Sequence, residues 1–242
     1  MPINRCVINF ARGLWYPQGQ LRLFASLRAT GYSGSAIFAN NEASIGAPSL
    51  EDCPYGFKPY ALQKAYHAEF THVLWCDASV WAIRNIEPMF EHIDRHGHMF
   101  FNNTWTGTWT SDACLKQFSV TRDEAMHIPM LMGICMGFNL AHPRTRTFFS
   151  TWMRAANDGI SFPGNWTNKN KEVSSDPRVL GHRHDQSVAS LIAWNLGMEL
   201  ITPHETYFEY YTHPHPTPEN RGAFDGDLSL VKPHTVMLAQ GL

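Results

Sequence analysis

The chain is short of charge. Only 17% of its 242 residues are Asp, Glu, Lys or Arg, against roughly 25% in an ordinary soluble domain. Its 19 basic and 21 acidic residues leave a formal net charge of -2. No block of Lys or Arg supplies the electrostatic footprint of a nucleic-acid binder, so that class of partner is disfavoured. No stretch approaches the roughly 20 apolar residues of a membrane helix, so no membrane segment is expected. Cysteine is limited to Cys6, Cys53, Cys76, Cys114 and Cys135. An odd number with no C-x-x-C spacing supports neither a disulfide framework nor a zinc knuckle. Cys6, Cys76 and Cys135 sit inside apolar runs, where a free thiol packs as a small hydrophobe. With no signal peptide ahead of the first strand-like run, a reducing, cytoplasmic setting is expected. The chain also lacks a Gly-x-Ser-x-Gly elbow, a Gly-x-x-x-x-Gly-Lys phosphate loop and a Cys beside an evident His partner. Triad hydrolases, kinases and dehydrogenases lose their signatures with them.

What is present is apolar and aromatic: 44% of residues are hydrophobic and 13% are Phe, Trp or Tyr. That composition buries a sizeable core and excludes a disordered chain, while 17 Gly and 15 Pro without a period exclude a collagen-like one. Trp, Tyr, Asn, Thr and His take the place of charge, and they bind by stacking and hydrogen bonding.

Strand and helix signals alternate along the first half. Strands are predicted at 6–10, 35–39 and 71–76, with helices at 20–30 and from Lys58 to about Phe70. Continuous apolar strands alternating with helices define an α/β fold with a mostly parallel sheet. Beyond it the pattern predicts a helix over 86–96, a strand at 99–101 and a Trp/Thr-rich loop over 102–111. Further on come a strand over 134–141, helices over 144–157 and 185–196, and a polar, aromatic loop over 159–181. No domain-boundary linker is visible, so 1–242 reads as one domain, with 203–242 a tail that wraps back over it.

Ligands of open α/β sheets bind at the carboxyl ends of the strands. Polar groups stand at three such ends: Arg12 after the first strand, Asn40 after the second, and Asp77 with Ser79 after the third. A carboxylate at the end of Val73-Leu74-Trp75-Cys76 suits Mg²⁺ or Mn²⁺ on a diphosphate, or else it caps the turn. In Gly181-His182-Arg183-His184-Asp185-Gln186, Asp185 is placed to cap the following helix. Capping leaves the flanking His, Arg and Gln unexplained; such a cluster orients a sugar, moves a proton or holds phosphate. Zinc on His182 and His184 lacks further ligands at sensible spacing. Gly133 to Asn139 places glycine within a strand, which fits tight packing or close approach of a ligand. Trp105, Trp109, Trp152 and Trp166 serve core packing or sugar stacking.

Taken in order, three segments make the chain similar to GT-A type glycosyltransferases, the nucleotide-diphospho-sugar transferases. Lys58-Pro59-Tyr60-Ala61-Leu62 and then Val73 to Ser79 resemble the helix and strand that lead into the Asp-x-Asp site. Met136 to Pro143 resembles the strand beside the donor sugar, and His184-Asp185-Gln186-Ser187 resembles the Asp-Gln motif of the glycogenin-like branch. Val231-Lys232-Pro233 is similar to that branch's C-terminal Lys-Pro element.

The resemblance implies a single-domain transferase of hexosyl or pentosyl groups, from a nucleotide-sugar donor to a glycan or other hydroxyl acceptor. It assigns Arg12 and Asn40 to the nucleotide, Lys58 to its ribose or phosphate side, and Lys232 to the phosphate. Asp77 goes to the metal, with Ser79 beside it, and Asn139 to the donor sugar. Asp185 and Gln186 fall at the reacting carbon, with His184 beside them. The metal motif reads Asp77-Ala78-Ser79, so its second carboxylate is missing. Two other readings share the scaffold: a non-catalytic carbohydrate-binding protein, and a nucleotidyltransferase whose Gly-rich triphosphate loop is absent.

Overall fold

A computed structural model describes residues 3–202, 207–211 and 226–239 of the chain. Its elements are β1 (Arg5–Phe10), α1 (Tyr16–Ala29), β2 (Ser35–Ala39), α2 (Phe57–His67), β3 (His72–Cys76), β4 (Val80–Ala82), α3 (Glu87–His96) and β5 (His98–Trp105). They continue with α4 (Asp112–Gln117), α5 (Arg122–Ala125), β6 (Pro129–Asn139), α6 (Pro143–Ala156), α7 (Asp185–Asn195), β7 (Phe208–Tyr210) and β8 (Met237–Ala239).

The central strands are apolar at every position because both faces of the sheet are covered. Side chains alternate across a strand. Cys6, Ile8, Phe10, Val73 and Trp75 therefore enter one core with α2, α6 and α7, while Val7, Leu74 and Cys76 enter a second with α1 and α3. All five cysteines are free and buried in this packing. The five strands run in the order β2-β1-β3-β6-β5. β1 is parallel to β2 and β3, whereas β6 is antiparallel to both β3 and β5. Strand order thus turns back beside β1 and β3, which opens a crevice at their carboxyl ends.

The structure is the mixed α/β, mostly parallel sheet flanked by helices that the sequence predicts, with differences of detail. The strand expected at 134–141 begins five residues earlier, at Pro129, and runs antiparallel to its neighbour. β5 extends to Trp105 and takes up the start of the expected Trp/Thr-rich loop. The short helices α4 and α5 show no periodicity, being too short for one. Capping marks them instead: Ser111 accepts from Cys114 N–H, and Thr121 with Glu124 forms a full capping box. The described parts of the expected tail supply β7 and β8, which join β4 in a three-stranded sheet ordered β4-β8-β7; the rest of 203–242 lies outside the described residues. Among the described residues, no helix is long and apolar enough to cross a membrane.

Candidate functional site

Two charged side chains, Lys58 and Asp185, are almost wholly buried where β3, β6, α2 and α7 meet. Lys58 stands in the first turn of α2, and its Nζ donates to the Gly133 carbonyl of β6 at 2.7 Å. The same Nζ lies 2.7 Å from Asp185 Oδ2, at the first residue of α7, and 3.4 Å from Asp77 Oδ1, just past β3. Asp77 is tethered twice: its N–H donates to the Ile134 carbonyl at 2.8 Å, and its Oδ1 accepts from Trp75 Nε1 at 2.8 Å. Glycine at 133 is a condition of this geometry. A Cβ there would come within 2.7 Å of Gln186 Cγ, 2.9 Å of Asp185 Oδ2 and 3.0 Å of Lys58 Nζ.

Burial alone would drive the Lys58 ammonium down, but Asp185 and Asp77 outweigh it and hold its pKa above the ordinary lysine value. Burial pushes the Asp185 carboxyl up, with Lys58 opposing. One ammonium is thus shared between two carboxylates, and Asp185 Oδ2 has no well-aligned hydrogen-bond donor. A buried ion pair so sparsely satisfied is poor value for stability, which marks it as a candidate for function.

The segment that delivers Asp185 is fixed by close approach. A Cβ at Gly181 would overlap the Trp166 carbonyl at 1.9 Å. His182 accepts from Ser111 N–H at Nδ1 and donates from Nε2 to the Ser161 carbonyl. Burial, with His184 adding to it, lowers its pKa to about 3, so the ring is neutral. His184 donates from Nδ1 to the Phe162 carbonyl and holds its backbone at φ 45°, a strained value for a side-chain-bearing residue. Its ring stacks on Tyr55, with centroids 5.4 Å apart. The two histidines therefore brace the long 159–181 loop rather than bind zinc. Among the described residues, no group of three or more His, Cys, Asp or Glu could hold a metal ion.

Two cavities meet at Asp77 and Tyr55. The first, about 610 Å³, is walled by Phe10, Trp15, Tyr16 and Phe57, and also receives Arg12 and Ser79. Arg12 is half exposed there and paired with Glu42. The second, about 450 Å³, is lined by Lys58, Gln186, Arg183, Trp109, Trp166 and Tyr210 among others. Of the sequence-predicted residues, the structure thus gathers Arg12, Lys58, Asp77, Ser79 and Gln186 at the cavity walls, with Asp185 and His184 packed behind them.

Three others are not gathered. Asn40 is exposed beyond β2 and its Oδ1 accepts from Asn41 Nδ2. Lys232 is exposed, its N–H bound to Glu209, and lines neither cavity. Asn139 requires a correction. Because β6 runs antiparallel to β3, Asn139 pairs with His72, at the opposite end of that strand from Asp77. The β6 residues beside the crevice are Gly133 and Ile134. Sequence reasoning gave no role to Tyr55 or Tyr210 and none of its own to Arg183. Only Arg183 left a signal, as the cation inside the 181–186 cluster.

The architecture is similar to that of solved glycosyltransferases. It is similar across 99% of this chain to mouse Xyloside xylosyltransferase 1 in its apo form, with a TM-score of 0.51, 11% identity and 98% of that chain covered. It is similar to the same extent to the apo bifunctional glycosyltransferase WbbM, with a TM-score of 0.51 and 10% identity, of which 46% is covered. No protein-family pattern and no curated protein matches the sequence.

Proposed function

We propose that the chain transfers a sugar from a nucleoside diphosphate donor to an acceptor hydroxyl, as expected of GT-A type enzymes with glycogenin-like motifs. The observation that carries this reading is the buried Lys58-Asp185-Asp77 cluster at the junction of the two cavities. The aromatic first cavity suits a nucleoside, and the charged second cavity suits the sugar and the acceptor. In the transfer, the bond from the anomeric carbon to the diphosphate oxygen breaks with its electron pair leaving on phosphate. The acceptor oxygen bonds to that carbon and gives up its proton. Lys58 neutralises charge on the departing diphosphate, and Asp185 stabilises the positive charge that develops at the carbon. Gln186, half-buried at the wall, supplies both a donor and an acceptor to sugar hydroxyls. The remaining acceleration comes from positioning.

A resident Mn²⁺ or Mg²⁺ does not fit the donor set. Asp77 Oδ1 already faces Trp75 Nε1 and Lys58, residue 79 is a serine, and the nearby acid Asp185 is itself paired with Lys58, so that among the described residues no group of three ligands forms. Lys58 is the resident charge at this point, and no step is derived through a metal ion.

Thermal shift against UDP, GDP, dTDP and CDP, each with and without Mn²⁺, tests the reading. A ligand at about 100 times its Kd adds roughly 2.7 kcal/mol to native stability. Stabilisation by one nucleoside diphosphate is expected, with little dependence on Mn²⁺. Silence from all four overturns the transferase and favours the sugar-binding alternative.

A further inference from the structure

The guanidinium carbon of Arg183 lies over two indoles, 4.0 Å from the Trp109 ring centre and 3.9 Å from that of Trp166. A guanidinium covered in this way offers mainly its N–H edge. Among the described residues it forms no ion pair and no hydrogen bond, although it lines the second cavity. The other cation there, Lys58, is held by Asp77, Asp185 and the Gly133 carbonyl, and the transfer reading gives it to the diphosphate rather than to the sugar. Arg183 is therefore the charge in the cavity left without an opposite partner. Its backbone is fixed as well, since its N–H donates to the Trp109 carbonyl at 3.0 Å. Burial lowers its pKa, with Tyr55 and Asp185 opposing.

We infer that the second cavity takes an acidic sugar, whose carboxylate makes a bidentate contact with the edge of Arg183. A planar fork matches a carboxylate better than any single hydroxyl. The inference rests on the transfer reading above, because that reading makes this cavity the sugar side. The acid has two sources: the sugar of the donor, or the residue of the acceptor that receives it.

The test uses the full chain and, in one arm, the nucleoside diphosphate found to bind. The donor arm compares that nucleotide's glucuronate with its glucose conjugate, by calorimetry. The acceptor arm compares methyl glucuronide with methyl glucoside, with the nucleoside diphosphate saturating and also without it. At least a tenfold preference for the acid is expected in one arm, and the arm identifies the source. R183Q should abolish that preference while leaving affinity for the nucleoside diphosphate within about twofold. R183K, which keeps the charge and loses the fork, should retain part of it. Equal binding of acid and neutral sugar in both arms, with the nucleotide still bound, overturns this inference and leaves the transferase standing. A loss of nucleoside diphosphate affinity in a folded R183Q also overturns it, by turning Arg183 toward the phosphates. If no nucleoside diphosphate binds, the transfer reading fails and the inference with it. The wild-type comparisons decide the matter even if the variants do not fold.

Discussion

The two ends of β3 dispose of their polar groups in opposite ways. At the His72 end most groups are answered locally, with His142 Nδ1 the exception. His72 meets Asp94 at 3.1 Å and Thr71 at 3.0 Å, Asn139 Oδ1 accepts from Ala141 N–H, and Thr145 donates to the Gly97 carbonyl. At the Asp77 end one ammonium serves two carboxylates, and a guanidinium rests over two indoles with no anion opposite it. The ends are five residues apart on one strand, roughly 17 Å at about 3.3 Å per residue. Local satisfaction of polar groups terminates a strand and stabilises it. Incomplete satisfaction next to a cavity costs stability, and it is sustained where a ligand completes the site.

Four substitutions or conditions sharpen that contrast. The largest effect is expected from Lys58→Met, which leaves Asp185 buried without its counter-charge. Denaturant unfolding should show a loss of about 3–5 kcal/mol, the scale of a broken buried pair. A loss below about 1 kcal/mol would mean that the cluster is solvated and open. Next comes Asp185→Asn, which keeps the shape and removes the negative charge. Transfer should fall at least about 10²-fold, close to 2.7 kcal/mol of transition-state stabilisation, with nucleotide binding kept. Wild-type turnover in this variant would remove Asp185 from the chemistry.

Acidification comes third. The folded His182 pKa of about 3 lies below the unfolded value, which is about 6.5. Its contribution is therefore full above pH 6.5 and is lost as pH falls toward 3, because the unfolded chain takes up a proton that the native ring refuses. Stability should drop by about 1–2 kcal/mol between pH 6.5 and 5, a slope near 1.4 kcal/mol per unit. The His182 ring resonance should not move in NMR over that range; a midpoint near 6 would mean the ring is not sealed. The smallest effect belongs to the other end of β3. Asn139→Ala removes one side-chain cap and should cost about 1 kcal/mol of stability while leaving nucleotide affinity unchanged. Impaired binding would bring Asn139 back to the site.

Much of the site was legible because it is written in short segments. Lys58 lies beside Pro59 at a helix start, Asp77 closes an apolar strand, and Asp185 precedes an apolar helix. Strand ends and helix starts converge at the carboxyl edge of such a sheet whatever the details of the loops. Asn139 was misplaced because period-2 burial reports that a strand is present and says nothing of its direction. Arg183 had no separate role because its partners Trp109 and Trp166 are far from it in sequence, so only folding brings the rings together. The histidines of the same cluster turned out to be braces for backbone carbonyls of residues 161 and 162, which no spacing reveals.

Composition and periodicity by themselves determined the α/β class, the doubly buried strands and the packing of Cys6, Cys76 and Cys135 within apolar runs, because burial on two faces demands continuous apolar runs. They also placed a carboxylate at the end of β3 and another at the start of α7. Tertiary structure decided the antiparallel insertion of β6, and with it which residues of that strand face the crevice. It also decided the sharing of one lysine between two acids and the placing of Arg183 over two indoles. These depend on register and on long-range contacts, and a linear pattern specifies local geometry without specifying which distant group will answer it.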